Sequence, residues 1–275
     1  MKSKIVSIFL LSILLVSCGE YNKVLKLTDI DKKFEYAKRY FDEGRFSRSA
    51  TLLEEVVQMR RGSAMGEEAL YLLAQSYFGM KDYLTASEYF ATYFKTYPKG
   101  QFVELARFYS AYGLFMESPD PRLDQSSTYK AMEQFQDFIE LFPQSERKEE
   151  AQNMLFQLQE KLALKELLTT RLYYNLGDFL LFPFPGGNYL SAVITAQNAI
   201  RTYPYTKYRE DFMYLIFKSK YEMAVRSVDE KREFRFRDVV DEYYAFINEF
   251  PEGRFTKEIT RLYQNIDRRL KTTTN

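Results

Sequence analysis

Acid–base chemistry in this chain would have to rest on carboxylates, because the usual catalytic side chains are missing. The sequence contains no His and one Cys, Cys18. Without His there is no imidazole base and no His-ligated zinc, and one thiol forms neither an intrachain disulfide nor a thiolate cluster. Acidic pairs such as Glu54-Glu55, Glu67-Glu68 and Glu149-Glu150 could in principle supply a general acid and a general base. Adjacent helical residues point about 100° apart, so these pairs indicate solvated helix faces rather than converging catalytic groups.

Other chemical motifs are also missing from the sequence. No phosphate loop, GxSxG or HExxH pattern occurs. Asp120 and Asp124 could bind a cation, but their two Pro neighbours are more typical of a turn and a helix cap. The 39 Lys and Arg nearly balance the 38 Asp and Glu, whereas a nucleic-acid-binding protein usually has a basic excess. The sequence therefore predicts a protein that is not an enzyme, needs no cofactor or metal and binds no nucleic acid.

Cys18 has a different chemistry, which its position in the chain indicates. A basic start, Met1 to Lys4, precedes an apolar run from Ile5 to Val16 that is too short to span a bilayer. Leu15-Val16-Ser17-Cys18-Gly19 then resembles a bacterial lipobox. We expect residues 1–17 to be a lipoprotein signal peptide and Cys18 to carry acyl chains, with residues 18–28 as a lipidated tether. The alternative is an ordinary signal peptide with a chance Cys.

The residues after Cys18 bear on where such a lipoprotein would reside. Gly19 and Glu20 provide neither the Asp that favours inner-membrane retention nor the acidic run of surface-exported lipoproteins. By analogy, we expect a lipid-anchored protein of the outer membrane that faces the periplasm.

A repeated phrase organises the rest of the chain. Four amphipathic segments end on an aromatic residue followed by Pro, at Tyr97-Pro98, Phe142-Pro143, Tyr203-Pro204 and Phe250-Pro251. Pro stops a helix at the residue before it. The spacings indicate helical hairpins with insertions.

The clearest hairpin, Leu70 to Pro98, matches the tetratricopeptide pattern, with small Ala74 and Ala86 at the close approach of its two helices. Lys81 replaces the Gly of its turn, which the preceding hairpin retains as Gly44. We predict an all-α fold: an α-solenoid of about five TPR-like hairpins plus a C-terminal capping helix. Its N-terminal repeats span 29–144, and its C-terminal repeats and capping helix span 145–275.

The first helices of such hairpins line the concave face of the stack, which suits an extended or helical peptide. In the frame of the pattern, the predicted partner-binding residues are Phe34, Lys38, Phe41, Tyr71, Gln75 and Phe78. The alternative is that some of these aromatic rings are buried against neighbouring hairpins.

Two further segments could dock a partner. The insertion from Phe179 to Gly187 is apolar but rich in Pro, and its Phe182 and Phe184 could be a partner site or could cap the groove. The basic residues Arg235 and Arg237 could dock an acidic partner, although the simpler interpretation is a loop and helical turn whose Phe residues pack inward.

The lipobox, the TPR-like hairpins and the chain length together resemble the BamD family, outer-membrane lipoproteins of the β-barrel assembly machinery. The local match is Arg122-Leu123-Asp124-Gln125 leading to Phe142-Pro143. The resemblance implies a non-catalytic scaffold. Its N-terminal repeats would receive unfolded outer-membrane proteins, and its C-terminal repeats would bind the POTRA domains of a BamA-like barrel subunit. The Phe179–Gly187 insertion departs from the family pattern.

Two other functions remain open from the sequence. One is a periplasmic TPR lipoprotein of envelope maintenance or division. The other is a glycan-binding surface lipoprotein, which the absence of Trp disfavours.

Overall fold

The computed structural model describes residues 20–177, 179 and 187–273. A short helical segment at residues 20–25 precedes eleven long helices, and the described residues contain no β-strand. The long helices are α1 (Ile30–Asp42), α2 (Phe46–Met59), α3 (Ala64–Gly79), α4 (Tyr83–Thr96), α5 (Val103–Met116), α6 (Ser126–Leu141), α7 (Lys148–Leu176), α8 (Gly187–Thr202), α9 (Arg209–Val225), α10 (Asp229–Glu249) and α11 (Thr256–Thr273). None of the described helices is both long and apolar enough to cross a bilayer.

The helices belong to two compact units. The first contains the residues up to Pro119 and Gln125–Leu155, and the second contains Asp120–Asp124 and the residues from Phe156 onward. The boundary between the two units falls within α7. In the first unit each helix from α1 to α5 packs on the next one in the chain, and α1 also contacts α3. In the second, α8 to α11 pack in the same order, and α11 also contacts α9.

This packing confirms the predicted fold class, an α-solenoid of TPR-like hairpins with α11 as a capping helix. The predicted close approach within the second hairpin is also present. Ala74 on α3 and Ala86 on α4 are fully buried, and Phe90 and Tyr93 fill the space beside them with no exposed surface. Burying each aromatic ring contributes about 2–3 kcal/mol, which a single hairpin could not obtain without its neighbours.

The four aromatic–Pro phrases form one recurring connector. At each, the helix ends and the N–H of the aromatic residue donates to the carbonyl four residues earlier. The carbonyl of the same residue then accepts a hydrogen bond from the N–H three residues later, which closes a turn around the Pro. The aromatic residues and their donors are Tyr97 with Gly100, Phe142 with Ser145, Tyr203 with Thr206, and Phe250 with Gly253. The sequence repeat thus encodes a repeated change of chain direction.

A glutamate near the start of a first helix fixes three of these connectors. Glu67 on α3 accepts hydrogen bonds from the Tyr93 hydroxyl at 2.7 Å and from the backbone N–H of Gln101 at 2.8 Å. Glu104 on α5 accepts from the Ser145 hydroxyl, and Glu210 on α9 accepts from the N–H of Phe255. Glu67, expected on a solvated face, therefore has a structural role.

The expected tether is folded against the first hairpin. Val24 is 2% exposed, and Tyr21 and Leu27 pack on the same cluster as Ala37 and Leu53. The spacing of these three apolar residues, Tyr21, Val24 and Leu27, gives the segment one buried face. Residues 1–19, with the predicted signal peptide and Cys18, lie outside the described residues, as do Phe182 and Phe184.

Candidate partner-binding groove

Three of the six predicted groove residues line one pocket. Phe41 on α1, together with Gln75 and Phe78 on α3, borders a cavity of about 230 Å³. The remaining lining residues are Phe46, Gly79, Phe90 and Tyr109. The pocket therefore spans the first helices of three consecutive hairpins, α1, α3 and α5, as the repeat geometry predicts.

The aromatic walls of the pocket repeat from one hairpin to the next. The Phe41 ring meets the Phe46 ring edge-on at 5.5 Å, and Phe78 meets Tyr83 edge-on at 5.1 Å. Gly79 permits this packing, because a Cβ at that position would lie 2.5 Å from the Phe46 ring. The rings hold one another in place, so the pocket is preformed.

Tyr109 and Tyr112 on α5 extend the aromatic surface and were missed by the sequence reasoning. The Phe78 ring lies 5.5 Å from Tyr109 and 5.7 Å from Tyr112, with Tyr112 roughly parallel to it. The signal that could have found them is their spacing of three on α5, continued by Phe115, whose ring stacks on Tyr112. All three rings are half-buried.

Phe34 and Tyr71 do not line this pocket. Phe34 is 4% exposed and Tyr71 is 5% exposed, so each presents almost no surface to a partner. Tyr71 stacks on Phe102 at 4.3 Å, and its hydroxyl accepts a hydrogen bond from Gln75 at 2.8 Å. Burial raises the pKa of Tyr71 to about 12. Packing against the next hairpin, the alternative raised by the sequence, accounts for both rings.

Charged groups stand at the margins of the groove. The Lys38 ammonium lies 4.6 Å from the centre of the Phe34 ring and pairs with Glu68 on α3 at 3.4 Å. The Arg147 guanidinium lies 5.3 Å from the Tyr109 ring, pairs with Glu150 at 3.0 Å and donates to the Tyr109 hydroxyl. An apolar pocket with an amide and flanking charges can hold side chains of an extended polypeptide.

Among the described residues, no group of three or more Cys, Asp or Glu side chains could hold a metal ion. The pocket residues themselves supply aromatic and amide groups rather than an acid–base pair.

A family model described as YfiO, an outer membrane lipoprotein, matches residues 28–180. That range contains the whole pocket and more than half of the chain. The chain belongs to the YfiO family.

Among solved structures, two crystal structures of a Podosopora anserina protein described as a kinesin light chain with TPR-like repeats are similar to this YfiO-family chain. They are 13% and 12% identical to it, and each match covers 82% of this chain and 97% of the other, with a TM-score of 0.33. No curated protein sequence matches significantly.

The C-terminal residues predicted to dock a partner lie beyond the matched YfiO range, on α10. Arg235 donates to the Met223 carbonyl at 3.0 Å and to the Ser227 hydroxyl at 2.8 Å, so its guanidinium holds the end of α9. Arg237 pairs with Glu233 at 2.6 Å and its side chain is 71% exposed.

The two Phe residues of this basic segment have opposite environments. Phe236 packs inward as predicted and is 2% exposed, whereas Phe234 is 68% exposed. Phe234 borders a pocket of about 210 Å³, whose other lining residues are Leu190, Val193, Lys220, Met223, Arg235 and Asp238. This pocket surface therefore presents the Phe234 ring next to the Arg235 side chain.

Proposed function

We propose that this YfiO-family chain is a lipid-anchored, non-catalytic scaffold of the outer-membrane β-barrel assembly machinery, of the BamD type. In this role Cys18 carries the lipid, and the chain faces the periplasm. The N-terminal groove binds unfolded outer-membrane proteins, and the C-terminal hairpins bind the POTRA domains of a BamA-like subunit.

The observation that carries the proposal is the pocket of Phe41, Gln75 and Phe78, which lies within the residues that match the family model. An unfolded β-barrel precursor exposes apolar side chains on an extended backbone. Half-buried aromatic rings on the first helices of three consecutive hairpins offer such side chains a surface that excludes water and retains polar contacts at its edges.

The C-terminal part of the proposal rests on the exposed Phe234 beside Arg237 and on the family resemblance. Exposed aromatic and arginine side chains are the residues most often found at the centres of protein interfaces.

Photocrosslinking in cells tests the groove directly. A photoreactive residue at Phe78 should crosslink to outer-membrane β-barrel precursors, identified by mass spectrometry. The matched control is Leu84 on α4, which is 49% exposed but does not line the pocket. It should give several-fold less of the same products.

Equal crosslinking at both positions would argue against a specific groove. Crosslinks at Phe78 to peptidoglycan-associated proteins, in place of barrel precursors, would favour a lipoprotein of envelope maintenance or division. Specific binding of oligosaccharides in calorimetry would favour the glycan-binding function.

A further inference from the structure

The segment before α1 is fixed to the first hairpin by contacts along its whole length. Glu20 pairs with Arg39 near the end of α1 at 2.6 Å, and the Tyr21 ring meets Tyr40 edge-on at 5.7 Å. At the other end of the segment, Lys33 on α1 is buried. Its ammonium donates hydrogen bonds to the Leu25 carbonyl at 3.3 Å and to the Glu55 carboxylate on α2 at 2.6 Å.

The direction of this segment determines where the chain leaves the hairpin. Its end at Leu25 lies beside Lys33 in the first turn of α1, and its start at Glu20 lies beside Arg39 in the last turn. The described segment therefore begins, at Glu20, beside the tip of the hairpin, where α1 turns into α2.

Little chain remains between this tip and the proposed lipid. Gly19 alone separates Cys18 from Glu20, and two peptide steps extend about 7 Å at most. A docked Glu20 thus lies within about 7 Å of an acylated Cys18, a distance comparable to the thickness of one lipid headgroup layer.

The side chains at this tip suit a phospholipid surface. We define the hairpin tip as Tyr21, Arg39, Glu43, Arg45 and Arg48. The Arg48 guanidinium lies 5.1 Å from the Tyr21 ring, and Arg39 and Arg45 both interact with Glu43. Both Arg39 and Arg45 keep nearly half of their side-chain surface exposed. Arginine binds phosphate through a planar set of donors, and Tyr is enriched at the membrane–water interface.

We propose that the hairpin tip is a membrane-contact surface, on which Arg45 and Arg48 meet the phosphate groups of bilayer lipids while Arg39 holds Glu20 in place. In this orientation the turn between α1 and α2 faces the bilayer, and the C-terminal end of α2 points away from it. This inference rests on the proposed acylation of Cys18. It goes further by fixing the orientation of the first hairpin relative to the bilayer.

The test uses the acylated full-length protein, extracted in mild detergent and reconstituted into vesicles of phosphatidylethanolamine and phosphatidylglycerol that contain a nitroxide-headgroup lipid. Cys18 is the one cysteine of the sequence, and its acylation blocks the thiol, so an introduced cysteine can be labelled selectively. A fluorophore at Ser47→Cys reports on the tip. One at Met59→Cys reports on the far end of α2, about 18 Å away along the helix. Both positions are exposed.

We expect the nitroxide to quench the label at Ser47→Cys several-fold more than the label at Met59→Cys. Adding Arg45→Glu should reduce quenching at Ser47→Cys at least twofold, whereas Arg61→Glu, a matched exposed arginine beyond the far end of α2, should not.

Intact mass separates the failure of this inference from the failure of the anchor. A protein without acyl mass would overturn the proposed lipidation and, with it, this orientation. Acylated protein with equal quenching at the two positions, or with quenching that Arg45→Glu leaves unchanged, would overturn the membrane-contact surface and leave the anchored scaffold intact.

Discussion

Lys81 occupies a backbone conformation that suits glycine. Its φ is 64°, close to the 71° of Gly44 at the equivalent turn of the first hairpin. Both turns close with the same pair of hydrogen bonds: Lys81 to Phe78 and Asp82 to Tyr77 in one, Gly44 to Phe41 and Arg45 to Tyr40 in the other. A side chain in this conformation costs about 1 kcal/mol or more relative to glycine.

Lys81→Gly should therefore stabilise the protein by about 1 kcal/mol. The free energy of unfolding is measured by urea denaturation with far-ultraviolet circular dichroism. The matched control, Gly44→Ala, should destabilise by a similar amount through its φ alone, since a Cβ there meets no atom within 4 Å. If Lys81→Gly instead lowers the free energy of unfolding, contacts of the Lys81 side chain stabilise the protein by more than its left-handed backbone conformation destabilises it.

The residue scale also shows what the sequence could determine. The tetratricopeptide spacing identified Ala74 and Ala86 as the residues at the close approach of the two helices, because that pattern specifies which helix faces meet within a hairpin. It could not separate buried Tyr71 from half-buried Phe78, because exposure on the outer helix face depends on residues of the next hairpin. Phe102, which stacks on Tyr71, lies more than thirty residues away in the sequence.

At the scale of the elements, Asp211 joins three parts of the second unit. This carboxylate on α9 is 5% exposed, and it accepts hydrogen bonds from Arg171 on α7 at 2.8 Å and from Arg254 in the connector before α11 at 2.6 Å. The hydrogen bond to Asp211 is the largest of several effects that raise the pKa of Arg254.

We expect Asp211→Asn to destabilise the second unit by about 2 kcal/mol, because two charge-assisted hydrogen bonds to a buried acceptor are weakened. Denaturation followed by circular dichroism measures the loss. The control, Glu233→Gln, breaks an exposed pair with Arg237 on α10 and should cost about 0.5 kcal/mol or less. Equal effects of the two substitutions would contradict a role for Asp211 in joining these elements.

The sequence predicted the helices where Pro and apolar periodicity mark them. It did not predict which charged residues make contacts between helices. Each aromatic–Pro phrase gave the end of a helix, since Pro restricts the preceding backbone irrespective of its surroundings. Glu67 was expected on a solvated face, because its partners Tyr93 and Gln101 lie on other elements. The segment 20–28 was expected to be a tether because it is short, although Val24 is buried in the first hairpin core.

At the scale of the whole molecule, the chain is a member of the YfiO family of outer membrane lipoproteins with a TPR-like fold. The proposal assigns the groove to precursors and the surface around Phe234 to the barrel subunit. Phe234→Ser should therefore lower copurification of a POTRA-containing barrel protein several-fold, because it removes an exposed aromatic anchor without disturbing the buried Phe236.

The matched control is Tyr205→Ser, which removes a ring that is 89% exposed in the connector between α8 and α9. It should leave copurification unchanged. Equal losses from the two variants would indicate that surface aromaticity in general, rather than the Phe234 surface, supports the association.

The most direct test of the assembly role is depletion of this protein in its native cell, followed by quantitative mass spectrometry of purified outer membranes. The account predicts that β-barrel proteins of many kinds fall together, while lipoproteins of the same membrane stay near their normal levels. Normal levels of assembled barrels after depletion would contradict the account.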